Sequence, residues 1–205
     1  MVYIAHNSAQ DAAAAVAGTI AGYQPFVSLL LKPVSIISPP FSPADIDKLN
    51  GAETSDSGPA GKGVNWLTTP ALIPGNGVFM GEGYTGNPGS PKKYIDVVRF
   101  IDDVSFRLKA QLINSIGNVR ISRSGLRALI AQMEAILNPL VGADVLNSFE
   151  LVIPILALLD KDPATLTADQ AAQVHQAEVQ RLVQVLAALE YAGAVHRISI
   201  TLKFN

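Results

Sequence analysis

The last twelve residues, AVHRISITLKFN, alternate strictly: Ile198, Ile200, Leu202 and Phe204 fall on one side, Arg197, Ser199, Thr201 and Lys203 on the other. A period of two predicts a strand with one buried and one wet face. Elsewhere the period is helical. After Tyr94, apolar residues recur at Val97, Ile101, Val104, Leu108 and Leu112, predicting a helix over 95 to 115, although YIDVV also suits the start of a strand. A second stripe, Leu126, Leu129, Ile130, Met133, Ile136 and Leu137, predicts a helix over 124 to 138, capped by Ser122 or Ser124 and closed by Pro139 and Gly142.

Shorter signals fill in the rest. QDAAAAVAGTIAG, residues 10 to 22, reads as a small-residue helix stopped by Gly22 and Pro25. The stretch from KPVSII to GPAGKG is mostly loop, with one short helix where Ser42 caps PADIDKLN and Pro43 opens its first turn. GVNWLTT and GVFMGEG read as short strands. NSFELVIPILALLD predicts a buried strand near 149 to 156, with Pro154 at an edge or bulge, and residues 168 to 178 read as helical. VQRLVQVLAALEYAGAV stays open: Leu182, Leu186 and Leu189 have helical spacing, while residues 179 to 190 could also be a strand facing the last one across a turn at Ala192-Gly193. Together these predict an α+β fold, a mixed sheet packed against two long helices, with a C-terminal β-hairpin.

Composition narrows the function. The 205 residues suffice to bury roughly 70% of the unfolded surface. Apolar residues make up 49% and charged ones only 16%, a surplus suited to a chain with many contacts. A net charge of -2, spread evenly, implies neither nucleic acid nor an anionic membrane as partner. With no cysteine there are no disulfides and no thiolate chemistry. The opening stretch lacks a basic n-region, so a cleaved secretory signal is not expected. The longest apolar run, LVIPILALL, is too short to span a bilayer and carries Pro154 at its middle, so the chain reads as soluble, without membrane insertion.

Candidate chemistry adds little. GEGYTG, Gly81 to Gly86, fits G-x-G-x-x-G, but NPGSP follows where a dinucleotide site needs a helix, so it reads as a glycine-rich connection. GPAGKG carries Asp56 where a phosphate-binding loop needs its first glycine, and Gly63 where it needs Ser or Thr. His6, His175 and His196 lie far apart, and His196 at the base of the last strand reads as a turn or packing residue. Asp102 and Asp103 diverge by about 100° on a helix and hold no metal between them. No catalytic, cofactor-binding or metal site is expected, and no enzyme.

The order of these segments is more telling. DAAAAVAGTIAGYQP, FSPADIDKLNGAETS with GVNWL, GEGYTG with YIDVVRFIDDVSFRLKAQL, SGLRALIAQMEAILNPLVGA and the tail AGAVHRISITLKF together resemble, in sequence order, the carboxy-terminal portion of contractile phage tail sheath proteins. The resemblance covers nearly all of the chain. It implies a structural virion protein with no active site: subunits in six-fold rings stacked helically around a tail tube protein, meeting baseplate and tail terminator proteins at the ends. Assembly is expected in the host cytoplasm, and the site of action is the virion tail. Terminal extensions adding strands to neighbouring sheets would link subunits, with Ile198, Ile200, Leu202 and Phe204 as the inter-subunit strand. Arg99, Asp103 and Arg107 are candidates for tube contact. Residues 1 to 90 are expected to form a helix-and-short-strand part of the same unit, and 91 to 205 an α+β domain. The rival within this class is a tail terminator, baseplate or injection-apparatus ring protein.

Overall fold

A computed structural model describes residues 1–51, 61–74 and 77–196. The chain divides into two compact units: Met1–Asp102 together with the segment beginning at Ala194, and Asp103–Gly193. The α+β expectation is met, with a four-stranded mixed sheet, long helices and an antiparallel strand pair late in the chain.

In the first unit the strands β1 (Tyr3–Ala5), β2 (Pro33–Val34), β3 (Val64–Thr68) and β4 (Val78–Met80) form a sheet in the order β1-β3-β4-β2. β1 runs parallel to β3 with Tyr3 opposite Val64, while β4 is antiparallel to both β3 and β2. The expected strands in GVNWLTT and GVFMGEG are β3 and β4. β1 and β2 went unanticipated because two or three residues cannot display a period. Pro33 is tolerated because β2 is an edge strand among the described residues.

Helix α1 (Ala12–Gly22) lies where the alanine run predicted it, and Asp11 caps it by accepting from Ala14 N–H at 3.0 Å. Ala12 and Val16 bury against Val34, Leu67 and Met80, forming the core of this unit. Helix α2 (Pro43–Asn50) has Ser42 as its N-cap and Pro43 in its first turn, as expected.

The second unit holds most of α3 (Ile95–Ile113), then α4 (Arg123–Gly142), β5 (Leu146–Val152), α5 (Pro154–Leu159), α6 (Ala168–Gln180) and β6 (Leu186–Tyr191). α3 and α4 match the two predicted helices, and of the two candidate caps it is Ser122 that accepts from Gly125 N–H at 3.2 Å. Leu126, Leu129, Ile153 and Leu156 form a buried cluster, with Leu112, Ile130, Ile155, Leu159, Val183 and Val185 packed on it. Arg123 fastens α4 to the end of α5 through the carbonyls of Leu159 and Lys161, and Arg127 meets Asp160 at 3.0 Å.

Several expectations are corrected here, and one left open is decided. α4 does not stop at Pro139 but runs to Gly142, since a proline one turn from a helix end forfeits a single backbone bond. The strand near 149 to 156 is Leu146–Val152, and Pro154 instead opens α5, where its fixed φ is preorganised and its missing N–H is not needed. That strand belongs to a separate two-stranded sheet, not to the mixed one. Residues 179 to 190 are neither all helix nor all strand: α6 ends at Gln180, Arg181 takes a left-handed φ of 52° as its cap, and β6 follows. β6 pairs antiparallel with β5, Val152 opposite Leu186 and Ser148 opposite Glu190, with an irregularity between Leu146 and Ser148. Ala192, expected in a turn, donates to Val145 O at 3.0 Å and prolongs this pairing. Ile198, Ile200, Leu202 and Phe204 lie outside the described residues.

Candidate functional site

The residues singled out for tube contact fall into two environments. Arg99 is half-buried and donates to Tyr23 O at 2.8 Å and Gln24 O at 3.4 Å, satisfying carbonyls just past the end of α1 and favouring that negative helix terminus with its charge. Asp103 and Arg107 pair with each other at 2.9 Å, one helical turn apart. Arg107 is exposed, and so are His6 and His175.

The glycine-rich GEGYTG segment is a packed loop in the first unit. A side chain at Gly81 would collide with the Trp66 ring, and one at Gly86 with Tyr3. α3 begins only at Ile95, so no helix terminus follows Gly86 as a dinucleotide site demands. Asn65, fully buried, holds the loop: its Nδ2 donates to Tyr3 O at 3.0 Å and Tyr84 O at 2.9 Å, and its Oδ1 accepts from Tyr84 N–H at 2.6 Å. One side chain thereby joins β1, β3 and the loop.

That loop presents Glu82 to His196. His196 Nδ1 lies 3.1 Å from Glu82 Oε2, with side-chain exposures of 10% and 4%. On the opposite side of the ring, Nε2 lies 2.9 Å from Ser28 Oγ, and the Tyr94 ring sits 4.5 Å away between centroids. Ser28 and His196 also line a cleft of about 450 Å³ whose other walls include Phe26, Val27, Leu30 and Val195. Sequence separations of 114 and 168 residues hid this cluster, and no local pattern marks Ser28 or Glu82.

In the second unit the arrangement is of another kind. β5 and β6 form a sheet of only two strands among the described residues, so β5 carries an edge without a ladder partner there. Asn147, Ser148, Glu150 and Val152 on β5, and Leu186, Ala187, Ala188 and Glu190 on β6, are exposed. Ser148 Oγ donates to Glu190 Oε2 at 2.9 Å across the pair. β5 packs against α4, which supports the two-stranded ribbon, and its edge can still accept a third strand.

Among the described residues, no group of three or more His, Asp or Glu side chains is placed to hold a metal ion, and no helix is long and apolar enough to cross a membrane. No protein-family model matches the chain, and no curated protein sequence matches it. Solved structures do. One is the cryo-EM structure of the anti-feeding prophage baseplate, six-fold symmetrised, matched with a TM-score of 0.61 at 14% identity over 94% of this chain and 49% of that one. Another is the helical sheath of the anti-feeding prophage in its contracted state, with a TM-score of 0.55 at 16% identity over 94% of this chain and 48% of that one.

The likeness is one of fold. The chain spans about half the length of each of these structures.

Proposed function

We propose that this chain is a structural, self-assembling subunit of a contractile injection apparatus, and specifically of the sheath that surrounds its tube. The observation that carries the reading is the shared fold over 94% of the chain with a contracted helical sheath and with a six-fold baseplate. The family resemblance in segment order supports the sheath role. In this reading the subunit is a homo-oligomer in a tail-like particle built in the host cytoplasm, and its partners are a tube protein within and baseplate and terminator proteins at the ends. Residues 1 to 90 and 91 to 205 then serve as two parts of one subunit.

Links between subunits form by strand addition. The occupant is the alternating segment Ile198, Ile200, Leu202, Phe204 of a second copy, laid along the β5–β6 pair. Main-chain hydrogen bonds would supply affinity and the alternation would fix register. Asp103 and Arg107 are the outward-facing candidates for tube contact, whereas Arg99 is held by backbone carbonyls. A baseplate or ring role is the second reading, favoured by the higher TM-score to the baseplate structure.

Electron microscopy of particles formed by the full chain, with and without tube protein, decides between the two. Long helical tubes support a sheath, single closed rings support a ring protein, and a chain that stays monomeric under both conditions overturns assembly. Truncation after His196 is expected to abolish assembly while leaving the fold intact by circular dichroism. Unchanged particles would sink the strand-addition link.

A further inference from the structure

A hydroxyl, an imidazole and a buried carboxyl group lie in a row beside a cleft, and the strand-addition link proposed above does not call on them. We propose that Ser28, His196 and Glu82 act as nucleophile, general base and orienting carboxylate in the hydrolysis of small acyl esters bound in this cleft.

The two ring nitrogens have different partners. Glu82 Oε2, 3.1 Å from Nδ1, can only accept while ionised, so in the neutral ring the proton sits on Nδ1 and Nε2 is left as an acceptor for the Ser28 hydroxyl 2.9 Å away. That is the tautomer a base needs to activate a serine. Leu30 N–H donates to Ser28 Oγ at 3.3 Å, which fixes the oxygen and leaves its own proton for His196. The walls Phe26, Val27, Leu30 and Val195 favour an apolar acyl group, with Lys32 also on the lining, and about 450 Å³ suits a small molecule.

The chemistry balances without a cofactor. Ser28 Oγ adds to the ester carbonyl carbon as its proton passes to His196 Nε2. The tetrahedral adduct collapses, the bond to the alcohol oxygen breaks, and His196 returns the proton to that oxygen. Water then adds to the acyl-Ser28, losing its proton to His196, and the carboxylic acid leaves as Ser28 Oγ is reprotonated. Ester and water become acid and alcohol, and nothing is oxidised or reduced.

The test treats the full chain with an alkyl fluorophosphonate, maps the adduct by peptide mass spectrometry, and measures hydrolysis of p-nitrophenyl butyrate. The expected result is one adduct, on Ser28, and ester turnover that falls about a hundredfold or more in Ser28→Ala. Glu82→Gln is expected to lower turnover while thermal unfolding shows a folded chain. Absence of an adduct at Ser28 under conditions that fully label a reference serine esterase overturns the proposal, as does wild-type turnover in Ser28→Ala. If Ser28→Ala does not fold, adduct mapping on the unsubstituted chain decides. Ser28→Ala is expected to form the same particles as the unsubstituted chain, so this inference and the assembly reading stand or fall separately.

Discussion

Two regions of the molecule treat polar groups in opposite ways. Around Asn65, Glu82 and His196, the first unit closes its polar atoms on one another: three hydrogen bonds converge on one amide, and a carboxylate 4% exposed meets an imidazole 10% exposed. The β5–β6 ribbon of the second unit keeps polar and apolar side chains in water and has an edge of β5 without a ladder partner among the described residues. The difference teaches where to look for each kind of role. Closed networks fix a unique local geometry, which chemistry requires, while exposed backbone is a surface that another strand can extend.

Substitutions can break or sharpen this contrast, and the largest effects lie beneath both regions. Leu67→Ala in the first core and Leu126→Ala in the second, both fully buried, are each expected to cost about 2–5 kcal/mol in urea unfolding. Asn65→Ala comes next. It strips partners from Tyr3 O, Tyr84 O and Tyr84 N–H together, and a loss of about 1–3 kcal/mol is expected by the same measurement. The two glutamates test the contrast itself: Glu82→Ala is expected to cost about 1–3 kcal/mol because His196 Nδ1 is left buried without this partner. Glu190→Ala, exposed on β6, should cost under about 1 kcal/mol. Equal costs would erase the distinction between a closed network and an open ribbon.

The smallest effect lies on the exposed surface of α2. The Ser42 hydroxyl, 2.6 Å from Asp45, holds that carboxyl below its ordinary value, with further help from Lys48. A lowered folded-state pKa contributes stability above the ordinary carboxylate range that is lost as pH falls through the lowered value. Ser42→Ala should bring the Asp45 titration, followed by NMR, back towards the ordinary value, and an unchanged titration would show that the hydroxyl is not the cause.

What the sequence disclosed follows the range of the interactions. α2 and α4 were legible because their caps, Ser42 and Ser122, act within three residues, and α3 because its stripe repeats over about four turns. Pro154 misled because one residue type serves both a strand edge and a helix start, and only the chain beyond Val152 decides between them. β6 was half concealed, since leucines spaced by four and three suit a helix until β5 offers a ladder. Ser28 and Glu82 gave no sign at all, because their meaning depends on His196 being brought to them across the fold.

Asn65 has a consequence for chemical ageing. Its side-chain nitrogen faces two carbonyl oxygens while its oxygen faces an N–H, so loss of ammonia from this amide would set a negative charge against both carbonyls. Shape and volume would scarcely change, yet two attractions would become repulsions. A single nitrogen exchanged for oxygen would loosen the first strand and the glycine loop together, so the burial of this amide inside β3 also protects the joint it makes.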